Sequence, residues 1–320
     1  MRKRAKVTLT VIVAVCIVLL TAFSIFIGLQ VFEGSTQLVT NEETKWVSET
    51  FLTNNGINYE SFYSEYKIEQ LEITSSFDGH IIPADYIYAK ESENSKDNST
   101  VILVHGLGDN RYSNYLLAEL FLKKGYNVIT YDQRSTNENT AKFTTFGYWE
   151  KHDLIDWVNY VEEQVTGLKI GVWSASYGGA TAGLALGYEN TDEKVDFLIL
   201  DCPVSSMKWM VEEEMRNMNI GIPVSYLTFC GNIINKLKLG FTYHDVDVAY
   251  EMKDIRTPVL IINSKVDSIT PYFMGKDIYD AIPTNNKEIW TVDDSKHCDI
   301  WIDHNQEYLD KVESFLSKYE

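Results

Sequence analysis

At 320 residues, 45% of them hydrophobic and 23% charged, the chain holds one large domain or two small ones and enough apolar side chains for a sizeable core. Its formal net charge is −18, and the basic cluster Arg2, Lys3, Arg4 and Lys6 makes the remainder more acidic still. A body that acidic repels nucleic acid and anionic lipid head groups, which excludes a nucleic-acid partner. The four cysteines are Cys16, Cys202, Cys230 and Cys298. They form no C-x-x-C pair, and Cys16 lies in an apolar run, so neither a disulfide framework nor a zinc pattern is legible. A single disulfide among the other three stays open.

Residues 1–6 read as a short basic tail. Val7 to Phe32 then holds no charge over 26 residues, roughly 39 Å of helix at ~1.5 Å per residue, enough to cross a ~30 Å hydrocarbon layer. The basic cluster before it puts the N-terminus in the cytoplasm and everything after Glu33 outside the cell. A cleaved signal peptide is the competing reading, with Ala22-Phe23-Ser24 as its small-residue site. Against it, Ile25-Phe26-Ile27-Gly28-Leu29 continues the apolar run where a signal peptide turns polar. Residues 33–66 are polar with scattered aromatics and read as a stalk, with a turn at Asn54-Asn55-Gly56.

From residue 67 onward the pattern is globular. Leu71 to Thr74 and Ile81 to Ala89 alternate around Asp78-Gly79, a hairpin, with His80 expected on the surface. After a polar loop over 92–100, apolar runs recur at 101–104, 127–131, 169–173, 195–200, 259–263 and 289–292. Helical patterns lie at 112–124, 152–164 and 305–319. Strands alternating with helices mean βαβ units and a mostly parallel central sheet flanked by helices. The alternation breaks between about 204 and 256, a stretch too long for a simple crossover, which reads as an inserted helical cap. Its apolar, Met-rich residues (Met207, Trp209, Met210, Met215, Met218 and neighbours) suit either an acyl-chain pocket or packing of the cap on the sheet.

Ligands in such sheets sit beyond the carboxyl ends of the strands. Gly171-Val172-Trp173-Ser174-Ala175-Ser176-Tyr177-Gly178-Gly179 reads as a strand turning sharply into a helix, a corner that lifts one serine clear of the backbone. Ser176 is the candidate nucleophile because Tyr177 and Gly178 follow it into the helix; Ser174 is the small residue that lets the corner close. A serine needs an imidazole base, and the base needs a carboxylate. Asp267 and His297 follow later strands in the order serine, acid, histidine, with Asp201 as rival acid and His304 as rival base. Cys298 beside His297 reads as incidental, since adjacent side chains on an extended loop diverge. Backbone N–H groups of Leu107 and Tyr177 are the candidate oxyanion donors, and His105 braces the Leu107 loop.

These residues together resemble the α/β-hydrolase superfamily: Val101-Ile102-Leu103-Val104-His105-Gly106-Leu107-Gly108, Tyr131-Asp132-Gln133-Arg134, the Ser176 corner, Asp267 and His297 stand in that family's order. The serine aminopeptidase and prolyl-oligopeptidase-like branch is similar, as are the membrane-anchored cell-surface hydrolases of low-GC Gram-positive bacteria. Two departures stand out: Ser174 replaces the first glycine of Gly-x-Ser-x-Gly, and Ser135 the glycine of Asp-x-Arg-Gly. The resemblance implies an α/β-hydrolase fold with an inserted cap and one N-terminal transmembrane helix. It also implies an acyl-enzyme serine hydrolase of the cell surface acting without cofactor or metal on a small-molecule ester or peptide, an ester with an apolar acyl group included. A non-catalytic scaffold that binds a ligand is the remaining alternative.

Overall fold

A computed structural model describes residues 2–54, 59–90, 98–164, 167–283 and 285–319. Parts of the expected turn at 54–56 and of the polar loop at 92–100 lie outside these residues. Eight strands form one sheet in the order β1-β2-β4-β3-β5-β6-β7-β8. β1 (Ile68–Thr74) and β2 (Ile81–Ile87) are the hairpin, with Thr74 opposite Ile81 across the turn, where Gly79 takes a φ of +78°. β2 pairs antiparallel with β4 (Asn127–Tyr131). From there β3 (Thr100–Val104), β5 (Ile170–Ala175), β6 (Phe197–Asp201), β7 (Val259–Ser264) and β8 (Lys287–Val292) run parallel. Every residue of β3, β4, β6 and β7 is buried, which is why these strands read as continuous apolar runs rather than alternating ones: a parallel sheet has helices on both faces.

The helices follow from their ends. Asn110 accepts the Tyr112 N–H at 2.9 Å and opens a 3-10 turn that leads into α4 (Tyr115–Leu122). α5 (Glu150–Gln164) carries Glu150 and Asp153 in its first turn, where carboxylates meet free N–H groups. α6 (Tyr177–Leu186) approaches β3 closely at its start; a Cβ on Gly178 would lie 2.5 Å from the Val104 carbonyl oxygen, so only glycine fits there.

Two compact units divide the chain. One contains α1 (Arg2–Thr36) with Met207–Asp245, and the other contains Gln37–Ser206 with Val246–Glu320. In the first, α1 and α8 (Val224–Leu239) lie side by side and run in the same direction. Ser24 Oγ meets the Tyr226 hydroxyl at 2.7 Å, Gly28 leaves room for the Cys230 carbonyl, and Val31 packs on Gly231. In the earlier part of α1 the apolar side chains from Val7 to Phe26 are mostly exposed, and an 18-residue window reaches a mean hydropathy of 2.9. α1 is thus long and apolar enough to cross a membrane. Tyr226 and Gly231 of the insertion pack on α1, so its apolar residues serve in part to pair with this helix.

Two expectations need correction. Residues 37–66 are not a separate stalk. α2 (Asn41–Asn54) packs within the second unit: Asn110 donates to the Thr44 carbonyl at 2.9 Å, and Asn41 donates to the carbonyls of Asn137 and Asn139. Phe62 is buried and stacks on Tyr115 of α4. The polarity that suggested a stalk belongs to side chains spent on these bonds. Nor does His80 lie free on the surface. Its side chain is 8% exposed, with Nδ1 2.5 Å from Asp78 and Nε2 3.3 Å from Asp153. Arg134 bridges the same two carboxylates at 2.8 Å each, so the Asp132-Gln133-Arg134 turn is pinned to the hairpin by its arginine.

Candidate active site

The strand register brings the ends of β3, β5, β6, β7 and β8 to one edge of the sheet, with Val104 opposite Ser174, Ala175 opposite Asp201, and Ser264 opposite Val292. Ser176 follows β5 with φ 52° and ψ −116°, a conformation that costs an L-residue on the order of 1–3 kcal/mol. Backbone bonds hold it there. Its N–H donates to the Asp201 carbonyl at 2.8 Å, and its carbonyl accepts from Gly179 at 2.9 Å and Val204 at 3.0 Å.

Asp267 lies just past β7. Its Oδ1 accepts the N–H groups of Ile269 and Thr270 at 2.8 and 2.9 Å, so the loop folds around the carboxylate. His297 lies between β8 and α11 (Ile300–Asp303). Its Nδ1 is 2.7 Å from Asp267 Oδ2, and its Nε2 is 2.8 Å from Ser176 Oγ. With the Nδ1 proton bonded to the carboxylate, Nε2 is left to accept from the serine. Burial by itself lowers the affinity of His297 for a proton. The Asp267 carboxylate, with the Cys298 thiol beside the ring, overrides this and raises the pKa, which stabilises the imidazolium that forms when Nε2 takes a proton. Asp267 mirrors it: burial acts to raise its pKa, but the bond to His297 and the loop amides hold the carboxyl below the usual range.

The rivals are elsewhere. Asp201 accepts the Tyr308 hydroxyl at 2.9 Å, and Trp173 Nε1 donates to the same Tyr308 oxygen; burial raises the Asp201 pKa to about 6. His304 pairs with Asp294 at 2.8 Å. Ser174 is fully buried, its Oγ 3.4 Å from the Ile199 carbonyl.

Neither the Leu107 nor the Tyr177 amide has a hydrogen-bond partner among the described residues. The Tyr177 side chain points away into the core, where its hydroxyl donates to Glu150 at 2.9 Å and accepts from the Thr145 and Phe146 amides. A Cβ on Gly106 would stand 3.5 Å from the Ser176 Cβ, which measures how near the Leu107 loop comes to the serine. His105 does brace that loop. It is buried, its Nδ1 donates to the Gly106 carbonyl at 2.7 Å, and its Nε2 accepts the Gln133 amide at 3.0 Å; burial lowers its pKa to about 4, so it stays neutral.

Three contributors escape the sequence. Gln133 ties the loop to α6, donating to the His105 carbonyl and accepting from Thr181 at 2.7 Å. Thr270 Oγ1 lies 2.9 Å from Asp267 Oδ2 and 3.1 Å from His297 Nδ1, and reaches the Cys202 carbonyl at 2.9 Å. The Asp267-x-x-Thr270 spacing before Pro271 was the available signal for it. Cys202 is the third. Its ligand atom, that of Cys298 and a ring nitrogen of His297 all lie within 4.8 Å of one another. Cys298 is therefore not incidental: its φ of +58° breaks the extended geometry that would have sent it away from His297.

A cleft of about 300 Å³ opens at the serine, lined by Leu107, Leu117, Trp173 and Trp301 with Asp109 and Asp299 among its polar groups. No lysine or arginine lines it. Burial raises Asp109 to about 6, against the opposing pull of His297.

Residues 99–228 match the family model described as the alpha/beta hydrolase fold. The chain is 28% identical over 270 residues to the uncharacterised protein YqkD of Bacillus subtilis (strain 168), covering 82% of this chain and 84% of that protein. It is 23% identical over 210 residues to the lysophosphatidylserine lipase ABHD12 of Danio rerio, covering 60% of this chain and 49% of that one. Among solved structures, the esterase Pf2001 of Pyrococcus furiosus superposes with a TM-score of 0.63 at 21% identity, over 82% of this chain and 96% of that one. Est1E of Butyrivibrio proteoclasticus, bound to ferulic acid, gives 0.57 at 19% identity, over 78% and 98%.

Proposed function

The chain belongs to the α/β-hydrolase superfamily, and on that premise we propose that it is a membrane-anchored serine hydrolase of the cell surface that cleaves small carboxylic esters through an acyl-enzyme. The observation that carries this is the unbroken hydrogen-bonded line from Ser176 Oγ through His297 to Asp267. Ser176 attacks the ester carbonyl while His297 Nε2 takes its proton, and Asp267 stabilises the imidazolium that results. The carbonyl oxygen becomes an oxyanion held by the Leu107 and Tyr177 amides, donors fixed before the charge develops. Collapse expels the alcohol, protonated by His297. Water, activated by the same imidazole, then releases the acid and restores Ser176.

The cleft supports esters of short, uncharged acyl groups: it is small, has apolar walls and, among the described residues, offers no lysine or arginine to a carboxylate or phosphate. The esterase and lipase names among the similar proteins point the same way. α1 supplies the anchor, and the basic residues before its apolar run put the catalytic fold outside the cell.

A screen of p-nitrophenyl esters by acyl length, with aminoacyl anilides alongside and Ser176→Ala as the blank, tests this reading. Short acyl esters are expected to turn over fastest, and the alanine variant to fall by on the order of 10⁶. Faster cleavage of anilides than esters would turn the reading to a peptidase; undiminished turnover by the alanine variant would end it.

A further inference from the structure

We propose that Cys202, Cys298 and His297 form a binding site for a thiophilic divalent cation, of which Zn²⁺ is the type, and that a cation held there stops hydrolysis by occupying the base. Cys202 follows β6, and His297 and Cys298 follow β8, the strands on either side of β7, so the three ligands converge from two separate loops. Their ligand atoms lie within 4.8 Å of one another. Around one tetrahedral zinc, with Zn–S of about 2.3 Å and Zn–N of about 2.0 Å, ligand atoms stand about 3.5–3.8 Å apart, so small side-chain movements close the site.

The backbone is shaped for this convergence. Cys202 and Cys298 have φ of +46° and +58°, conformations L-residues rarely hold, each costing on the order of 1–3 kcal/mol. Both are free thiols. Surrounding charge favours a cation. Asp201, next to Cys202, is buried with its Oδ1 unbonded, and no lysine or arginine lines the cleft, among the described residues. Cys298 and His297 line that cleft, which gives the ion a way in and water as a fourth ligand.

Soft thiolates with imidazole select zinc and its heavier relatives over magnesium or calcium. Binding releases the two thiol protons to solvent, so the dication meets two thiolates and one neutral imidazole. His297 uses Nδ1 for Asp267 and Nε2 for Ser176. Whichever nitrogen the ion takes, the proton relay is broken. The inhibitory half of the proposal rests on the function proposed above; the binding half does not.

The test uses the full chain, purified in detergent and kept reduced. Titration with Cd²⁺ is read by ultraviolet thiolate-to-cadmium absorption, alongside ester turnover in the presence of Zn²⁺. One Cd²⁺ per chain is expected, with affinity at least about 100-fold weaker in Cys202→Ala and in Cys298→Ala, beyond what loss of an outer-shell partner alone costs. Thermal unfolding of each variant confirms that it is folded, and the two substitutions stand in for one another if one does not fold. Zn²⁺ inhibition, scored against each protein's own metal-free rate and reversed by chelation, is expected in the wild type and weakened in both variants. Absence of the absorption band in the wild type, or an equal band in both variants, overturns the site. Binding without inhibition overturns the inhibitory role, whereas a chain that binds Cd²⁺ but cleaves no ester counts against the proposed function and leaves the site standing.

Discussion

The side chains that orient His297 divide their work in a way that fixes how each variant fails. Asp267 holds Nδ1 through one oxygen while its other oxygen is saturated by loop amides, so the carboxylate cannot turn away. Asp267→Asn keeps the shape but offers an amide where an acceptor is needed and favours the wrong imidazole tautomer. We expect the turnover number to fall by about 10⁴ with little change in thermal stability, measured by ester kinetics and unfolding on the same preparation. Thr270 is a positioning residue beside the same oxygen, and its loss should cost less. Order in the chain and position after strands were enough to nominate Ser176, Asp267 and His297 as candidates, and the structure brings the three within hydrogen-bond distance. Thr270 and Cys202 were not legible, because nothing in residue spacing reports a backbone that turns through positive φ at Cys202 and Cys298.

At the scale of elements, the β1–β2 hairpin is tied to the turn after β4 and to α5 by a charge cluster, beside the stack of Phe77 on His152. Asp78, His80, Arg134, Asp153 and the nearby Asp156 make up that cluster. Burial disfavours the His80 cation, but the Asp153 and Asp78 carboxylates outweigh it and raise its pKa above the ordinary value. A raised folded-state pKa stabilises below about 6.5, and this contribution is lost as pH rises through the folded value. Asp78 behaves oppositely. Burial works to raise it, but Arg134 and His80 hold it down to about 2, so its contribution is present above about 4 and lost as pH falls toward 2. The hairpin attachment is therefore strongest between about pH 4 and 6.5. Thermal unfolding at pH 6 and pH 8 checks this: His80→Gln is expected to flatten the loss of stability on going to pH 8, and an unchanged slope would contradict it. The hairpin itself was plain from alternation around Asp78-Gly79. Its attachment was not, since a histidine beside a turn carries no local sign of which distant carboxylate it meets.

Across the whole molecule, the strand alternation, the insertion before β7 and the apolar N-terminal helix were all legible, because each is written in the period of apolar residues over many positions. Two long-range pairings were not. α2 looked like a tether because its polar face hid bonds to Asn110, Asn137 and Asn139, and the apolar residues of the insertion, readable as pocket or as packing on the sheet, gave no sign that Ser24 and Val31 of α1 are partners of α8. α1 shares one compact unit with residues 207–245, so this long apolar helix contributes to the fold of that unit. The central claim remains chemical: one serine, on one strained corner, made nucleophilic by one histidine. Labelling by a fluorophosphonate probe in washed membranes from cells expressing the full chain tests it most directly. The account predicts a labelled band at the size of the chain for the wild type and none for Ser176→Ala expressed at the same level; equal labelling of the two would contradict it.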